Sequence, residues 1–155
     1  MDALDRRILR EVQRDNSGSA TDLAERCGTT ESTALRRLKR LRDGKVIQRQ
    51  VAVIDPAKVG RGITVVLTVR LERETPAVLD AFRKRLAAHP DITHCYFVTG
   101  SWDYVLILTV SEMADYDRFL TEMIVGQKAV VATDTHVVLQ PMKSAAPIPI
   151  DEPKR

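Results

Sequence analysis

The chain has 155 residues, 44% of them hydrophobic, with 24 basic and 21 acidic side chains and a net charge of +3. That length suits one domain or two small ones with a real core, and no run approaches the roughly 18 apolar residues of a membrane span. Met1-Asp2-Ala3-Leu4-Asp5-Arg6-Arg7 also lacks the apolar stretch of a signal peptide, so a cytoplasmic protein with no membrane partner is expected.

Leu4, Ile8, Leu9 and Val12 share one face at helical spacing, which predicts a first helix ending before Asp15-Asn16-Ser17-Gly18. Ser19-Ala20-Thr21-Asp22 reads as a capping box opening a second helix. Leu23, Ala24 and Cys27 form its apolar stripe, and Gly28 stands where a left-handed cap is wanted. Thr30 caps a third helix, Glu31 to about Asp43, with Ala34, Leu35, Leu38 and Leu41 inward and Gly44 as its stop.

Between Glu31 and Arg49 stand seven basic residues and two acidic ones. A solvated helix face and a polyanion footprint both fit that charge. Two short helices joined by a glycine-led turn, the second basic on its free face, form the pattern of a helix-turn-helix. The major groove admits one helix, whose N-terminal residues reach base edges while flanking cations reach phosphates. Ser32, Thr33, Arg36 and Arg37 are placed for bases, Lys39, Arg40 and Arg42 for backbone, and the cap residue Thr30 is counted with the DNA-binding set. Alternating Ile47, Val51 and Val53 predict a strand over 46–53, a wing or linker ribbon closed by Asp55-Pro56.

Ile63, Val65, Leu67, Val69 and Leu71 alternate as a strand. Thr75-Pro76 opens a helix carrying Val78, Leu79, Phe82 and Leu86 on one face. Strands follow at Ile92–Thr99 and Tyr104–Val110, joined by the Gly100-Ser101-Trp102-Asp103 turn. Ser111 caps a helix with Tyr116, Phe119, Leu120 and Met123 inward, and Val130–Leu139 is the last strand. The order β-α-β-β-α-β is ferredoxin-like, with one sheet face left open for dimerisation. After Ser144, Pro147, Pro149 and Pro153 predict an extended or mobile tail.

The fold class is therefore α+β: a winged helix-turn-helix over 1–55, a ferredoxin-like βαββαβ domain over 56–143, and a tail over 144–155. Cys27 and Cys95 read as small buried thiols. His94 and Cys95, adjacent on a strand, point to opposite faces, so no metal is expected there, and no enzyme or cofactor motif occurs.

The sequence resembles the Lrp/AsnC, or feast/famine, family of transcription regulators. The likeness runs from Leu4 to about Lys143. It is carried by Leu4-Asp5-Arg6-Arg7-Ile8-Leu9, Asp22-Leu23-Ala24, Cys27-Gly28-Thr29-Thr30, Leu41-Arg42-Asp43-Gly44-Lys45-Val46-Ile47, Val98-Thr99-Gly100-Ser101-Trp102-Asp103-Tyr104 and Thr133-Asp134-Thr135. Gln48-Arg49-Gln50 stands where the family usually has Gly-Tyr, and the segment 124–130 lacks the family's usual Leu-Pro-Gly-Val turn.

The resemblance implies a nucleoid-associated regulator of double-stranded DNA. It implies homodimers formed through the C-terminal domain and assembled further into tetramers or four-dimer octamers. It also implies an amino-acid-type effector near Gly100, Ser101, Trp102, Asp103 and Tyr104. In that loop a carboxylate at Asp103 suits an ammonium group, and turn amides suit a carboxylate. A metabolite-binding scaffold and a low-specificity DNA-compacting protein are the alternatives.

Overall fold

The computed structural model describes residues 1–72 and 75–151. The chain divides into two compact units, Met1–Val53 together with the segment from Lys143 onward, and Ile54–Met142.

The first unit is three helices: α1 (Ala3–Arg14), α2 (Ala20–Cys27) and α3 (Glu31–Asp43). Asp2 and Asp5 form a capping box on α1, and Ser19 and Asp22 form one on α2, so orphan N–H groups at both starts are satisfied. Gly28 ends α2 in the left-handed region at φ 62 and ψ 47. The Cys27 carbonyl at that end accepts a 2.8 Å bond from Arg7 Nη1 on α1. Ile8, Leu9, Leu23, Cys27, Leu38 and Leu41 make the core. Leu35 departs from expectation, since it is 47% exposed.

The second unit holds β1 (Ile63–Leu71), α4 (Pro76–Ala88), β2 (Ile92–Phe97), β3 (Tyr104–Val110), α5 (Met113–Met123) and β4 (Val130–Val137). The sheet is antiparallel in the order β2-β3-β1-β4, as a ferredoxin-like fold requires. Val65, Leu67 and Val69 of β1 and Leu106, Leu108 and Val110 of β3 face the helices and pack on Phe82, Leu86, Tyr116 and Phe119. Thr64, Val66 and Thr68, with Val105, Ile107 and Thr109, alternate onto the opposite face. The β1–β4 register shifts between Arg70 and Leu71, where Val131 of β4 is left without a partner on β1.

Three expectations are corrected. The strand over 46–53 is not formed: residues 48–55 carry no regular structure, and Val51 and Val53 are each 74% exposed. A lone extended segment has no ladder to join, so period-two alternation cannot fold it without a partner strand. Cys95 is exposed, because β2 is an edge strand whose residues are mostly uncovered. Glu112, not Ser111, is the N-cap of α5, and its side chain makes no capping bond. The tail segment 147–151 lacks helix and strand, as expected, and is seated on α1, where Arg10 and Gln13 bond its main chain.

Candidate nucleic-acid interface and effector loop

The turn from Gly28 to Thr30 presents α3, and the cap fixes where that helix begins. Thr30 accepts from the Thr33 N–H at 3.4 Å, and its hydroxyl donates to Thr33 Oγ1 at 2.9 Å. Thr30 thus serves the cap. Thr21 Oγ1 donates to Glu31 Oε2 at 3.0 Å, linking α2 to the start of α3. Ser32, Arg36, Lys39 and Arg40 are exposed on the helix, and Thr33 is half-buried.

The arginines of α3 divide by what they touch. Asp5, on the same face of α1 as Ile8 and Leu9, is fully buried. Arg40 Nη2 bonds both its carboxylate oxygens, at 2.7 and 2.6 Å. Arg37 Nη1 lies 3.1 Å from Asp5 Oδ1 and also bonds Asp2. Arg37 is therefore turned onto α1, with its side chain only 22% exposed, whereas the expectation had it facing outward. Arg36 makes no ion pair among the described residues, and Lys39 is loosely paired with Asp43 at 2.7 Å along the exposed surface.

The clamp is electrostatically coherent. The Arg37 hydrogen bond and the Asp5 N–H hold the Asp2 carboxyl down to about 2. Burial pushes Asp5 up, but the Asp2 N–H, Arg37 and the Arg40 charge outweigh it and its carboxyl is lowered. Donating to the Asp2 and Asp5 carboxylates raises Arg37 in turn. A buried carboxylate held by two guanidinium groups fixes the rotation of α3 against α1.

In the second unit, Gly100 sits at φ 117 at the start of the β2–β3 turn, and Ser101 is exposed beside it. Asp103 closes the turn in three ways. Its N–H donates to the Val69 carbonyl at 2.9 Å, its carbonyl accepts from the Val98 N–H at 2.9 Å, and its Oδ2 accepts from the Leu71 N–H at 2.7 Å. The carboxylate thus satisfies a β1 donor just past the end of the β1–β3 ladder, which closes at Val69 and Tyr104.

Tyr104 is 2% exposed. Its hydroxyl accepts from Arg83 Nε at 2.7 Å, and its ring packs against Phe82 and Phe97. Trp102 is half-buried, with the Arg70 guanidinium 5.8 Å from its ring centroid. Tyr104 pairs with Val69 in register, on the helix-covered side, while Arg70 alternates to the open side. Trp102 and Tyr104 therefore do not wall one common pocket within a single chain.

Sequence reasoning missed Asp2 and Asp5 as partners of α3, and Arg70 and Arg83 beside the loop. For Asp5 a signal existed: a carboxylate set within the apolar stripe of α1. Pairing across 32 to 35 residues leaves no local signal, and neither does Arg83 meeting Tyr104.

A concavity of about 350 Å³ in the sheet unit is lined by Arg61, His89, Asp91, Asp115, Arg118 and Glu122. Its charges are largely paired among themselves, Arg61 with Asp91 and Arg118 with Asp115 at 3.2 Å. Among the described residues no three His, Cys, Asp or Glu are placed to hold a metal ion. No helix among them is long and apolar enough to cross a membrane.

Comparison with known proteins decides the family. Residues 1–42 match the AsnC-type helix-turn-helix domain, and residues 64–148 match the Lrp/AsnC ligand binding domain. The chain belongs to the Lrp/AsnC family. Among its relatives is the leucine-responsive regulatory protein of Haemophilus influenzae, 32% identical over 92% of this chain and 86% of that one. An AsnC family transcriptional regulator from Agrobacterium tumefaciens superposes with a TM-score of 0.90 at 30% identity, covering 96% of this chain and 97% of that one. A transcriptional regulator from Neisseria meningitidis, solved in complex with L-Met, gives 0.89 at 25% identity, covering 96% of each chain. This Lrp/AsnC chain thus pairs a helix-turn-helix with a ligand-binding domain, in a family whose named relatives are transcriptional regulators.

Proposed function

We propose that this Lrp/AsnC chain is a sequence-specific, nucleoid-associated regulator whose α3 enters the major groove. Ser32, Thr33 and Arg36 meet base edges there. Lys39 and the solvent side of Arg40 meet phosphates, while Thr30 and Arg37 hold the helix in register. The carrying observation is the division of the arginines: Arg37 and Arg40 are anchored on Asp5, and Arg36, one residue from that anchor, stands exposed without an ion partner among the described residues. An uncommitted guanidinium on a fixed helix suits bidentate reading of a guanine.

The test is titration of the Arg36→Ala variant with operator DNA across salt concentrations. Loss of a base contact costs about 1–3 kcal/mol and relaxes one position, whereas loss of a phosphate contact lowers the salt slope by about one. Unchanged affinity and specificity at intact folding would remove α3 from this role. A loss that is equal on all sequences would favour low-specificity compaction.

The assembly reading is a homodimer through the open sheet face, with Val66, Val105 and Ile107 at its centre and further association into tetramers or octamers. Partly covered apolar side chains on an open face favour it, as does the unpaired extended run 48–55. Ile107→Asp should give monomers in light scattering, and an unchanged mass would contradict that interface.

The effector is an amino acid bound at the Gly100–Tyr104 turn, with the Neisseria relative's L-Met as the first ligand to try. Calorimetry with the free amino acids, followed by DNA titration with any that bind, tests it. A coupling of about 5- to 150-fold in affinity is expected. Asp103→Asn is the informative variant, because it keeps the acceptor for the Leu71 N–H while removing the charge.

A further inference from the structure

The face of α1 that carries Arg10 and Gln13 is occupied. Gln13 reads the main chain of Ile148 in both directions: its Nε2 donates to the carbonyl at 3.1 Å, and its Oε1 accepts the N–H at 2.8 Å. Arg10 places Nε and Nη2 on the Ile150 carbonyl at 3.1 and 2.7 Å. Ile150 packs on the helical core beside Leu4, Val12 and Ile47, whereas Ile148 leaves its side chain 73% exposed.

The segment Pro147-Ile148-Pro149-Ile150 is chemically suited to this seat. Pro147 and Pro149 have no N–H to leave unsatisfied, so the one donor from 147 to 149 is the Ile148 amide that Gln13 accepts. Proline also fixes φ in advance and lowers the entropy lost on docking. One side chain is buried and two peptide groups are read, which is recognition of an extended peptide by a helix surface.

We infer that residues 147–151 form a C-terminal strap that docks in cis on α1. The chain leaves the helical unit at Val53 and comes back to it after Met142, so that unit is tied covalently to the sheet unit at both ends. The strap supports α1, α1 holds α3 through Asp5, and DNA affinity thereby depends on the segment that follows β4. That last clause rests on the DNA-binding reading above, while the docking itself does not.

Hydrogen exchange on the full-length protein tests docking without DNA. Ile150→Asp and Gln13→Ala should each speed exchange of α1 amides by about tenfold, while Ile148→Ala, which leaves the main chain in place, should match the wild type. Wild-type protection in both Ile150→Asp and Gln13→Ala overturns the strap.

A short bis-maleimide cross-linker, which adds one cysteine thiol across each of its double bonds, applied to Gln13→Cys/Ile148→Cys in a Cys95→Ser background separates cis from trans. A bridged product of monomer mass on a denaturing gel is expected, and one of dimer mass overturns docking in cis. DNA titration of Ile150→Asp then reads the coupling, with affinity expected to fall about three- to tenfold. Faster exchange at unchanged affinity would overturn the coupling alone, and if Arg36→Ala also left DNA binding untouched, the fault would lie with the DNA-binding reading.

Discussion

The two units are held by different physics. Among the described residues, the sheet unit buries thirteen side chains in one apolar cluster, while the helical unit buries six and adds a carboxylate gripped by two guanidinium groups. Small helical units bury a smaller fraction of their surface than large ones, so the hydrophobic effect leaves them with little margin. Here capping boxes, Arg7 on the Cys27 carbonyl and the Asp5 clamp supply the rest. A unit stabilised by charge and caps is tunable by pH and salt, and one stabilised by packing is not.

The comparison can be broken or sharpened by selective damage, followed as two unfolding transitions or by residue-resolved hydrogen exchange. Leu67→Ala, at the centre of the sheet core, should cost the sheet unit about 2–5 kcal/mol and leave the exchange of α2 and α3 unchanged. Loss of protection in both units would mean that they unfold as one. Asp5→Asn should cost the helical unit about 2–3 kcal/mol, since it removes the charge that Arg37 and Arg40 share, though both guanidinium groups can still reach water. A variant as stable as the wild type would show that packing alone suffices there.

Acid should separate the units more gently. The Asp2, Asp5, Asp15 and Asp22 carboxyls are all lowered in the folded chain. Their contribution is whole above the usual carboxylate range near 4 and is lost as pH falls through the folded values, about 2 for Asp2. The helical transition should therefore weaken between those limits before the sheet transition does, and a reversed order would contradict the assignment. The smallest effect expected is from Ser19→Ala, about 1 kcal/mol on the helical unit from loss of the α2 cap, visible as earlier fraying of Ala20–Leu23.

Legibility followed the range of the interaction. The five α-helices and four strands are readable because apolar spacing and capping residues act within a few positions: Ser19 with Asp22, Gly28 after Cys27, alternation from Ile63 to Leu71. The exposure of Leu35 was not, because a stripe of 34, 35, 38 and 41 is wider than the arc that α1 and α2 cover. Arg37 read as a groove-facing cation because the acids that capture it lie on another helix. The structural role of Asp103 was not legible, because nothing local announces that its carboxylate meets the Leu71 N–H of another strand. Proline content foretold that residues 147–151 would lack helix and strand, but not that Gln13 and Arg10 would hold them.

The pairing of β1 with both β3 and β4 also sets an order of assembly in time. Val65 lies opposite Val137, so the central strand waits for a segment far along the chain before its second edge closes. The three helices need only the first 43 residues. Loop closure over long separations is slow, and chains emerge from the ribosome N-terminus first. During synthesis the helical unit should be native while β1 still shows an unpaired edge, and residues 147–151 then arrive at a finished α1.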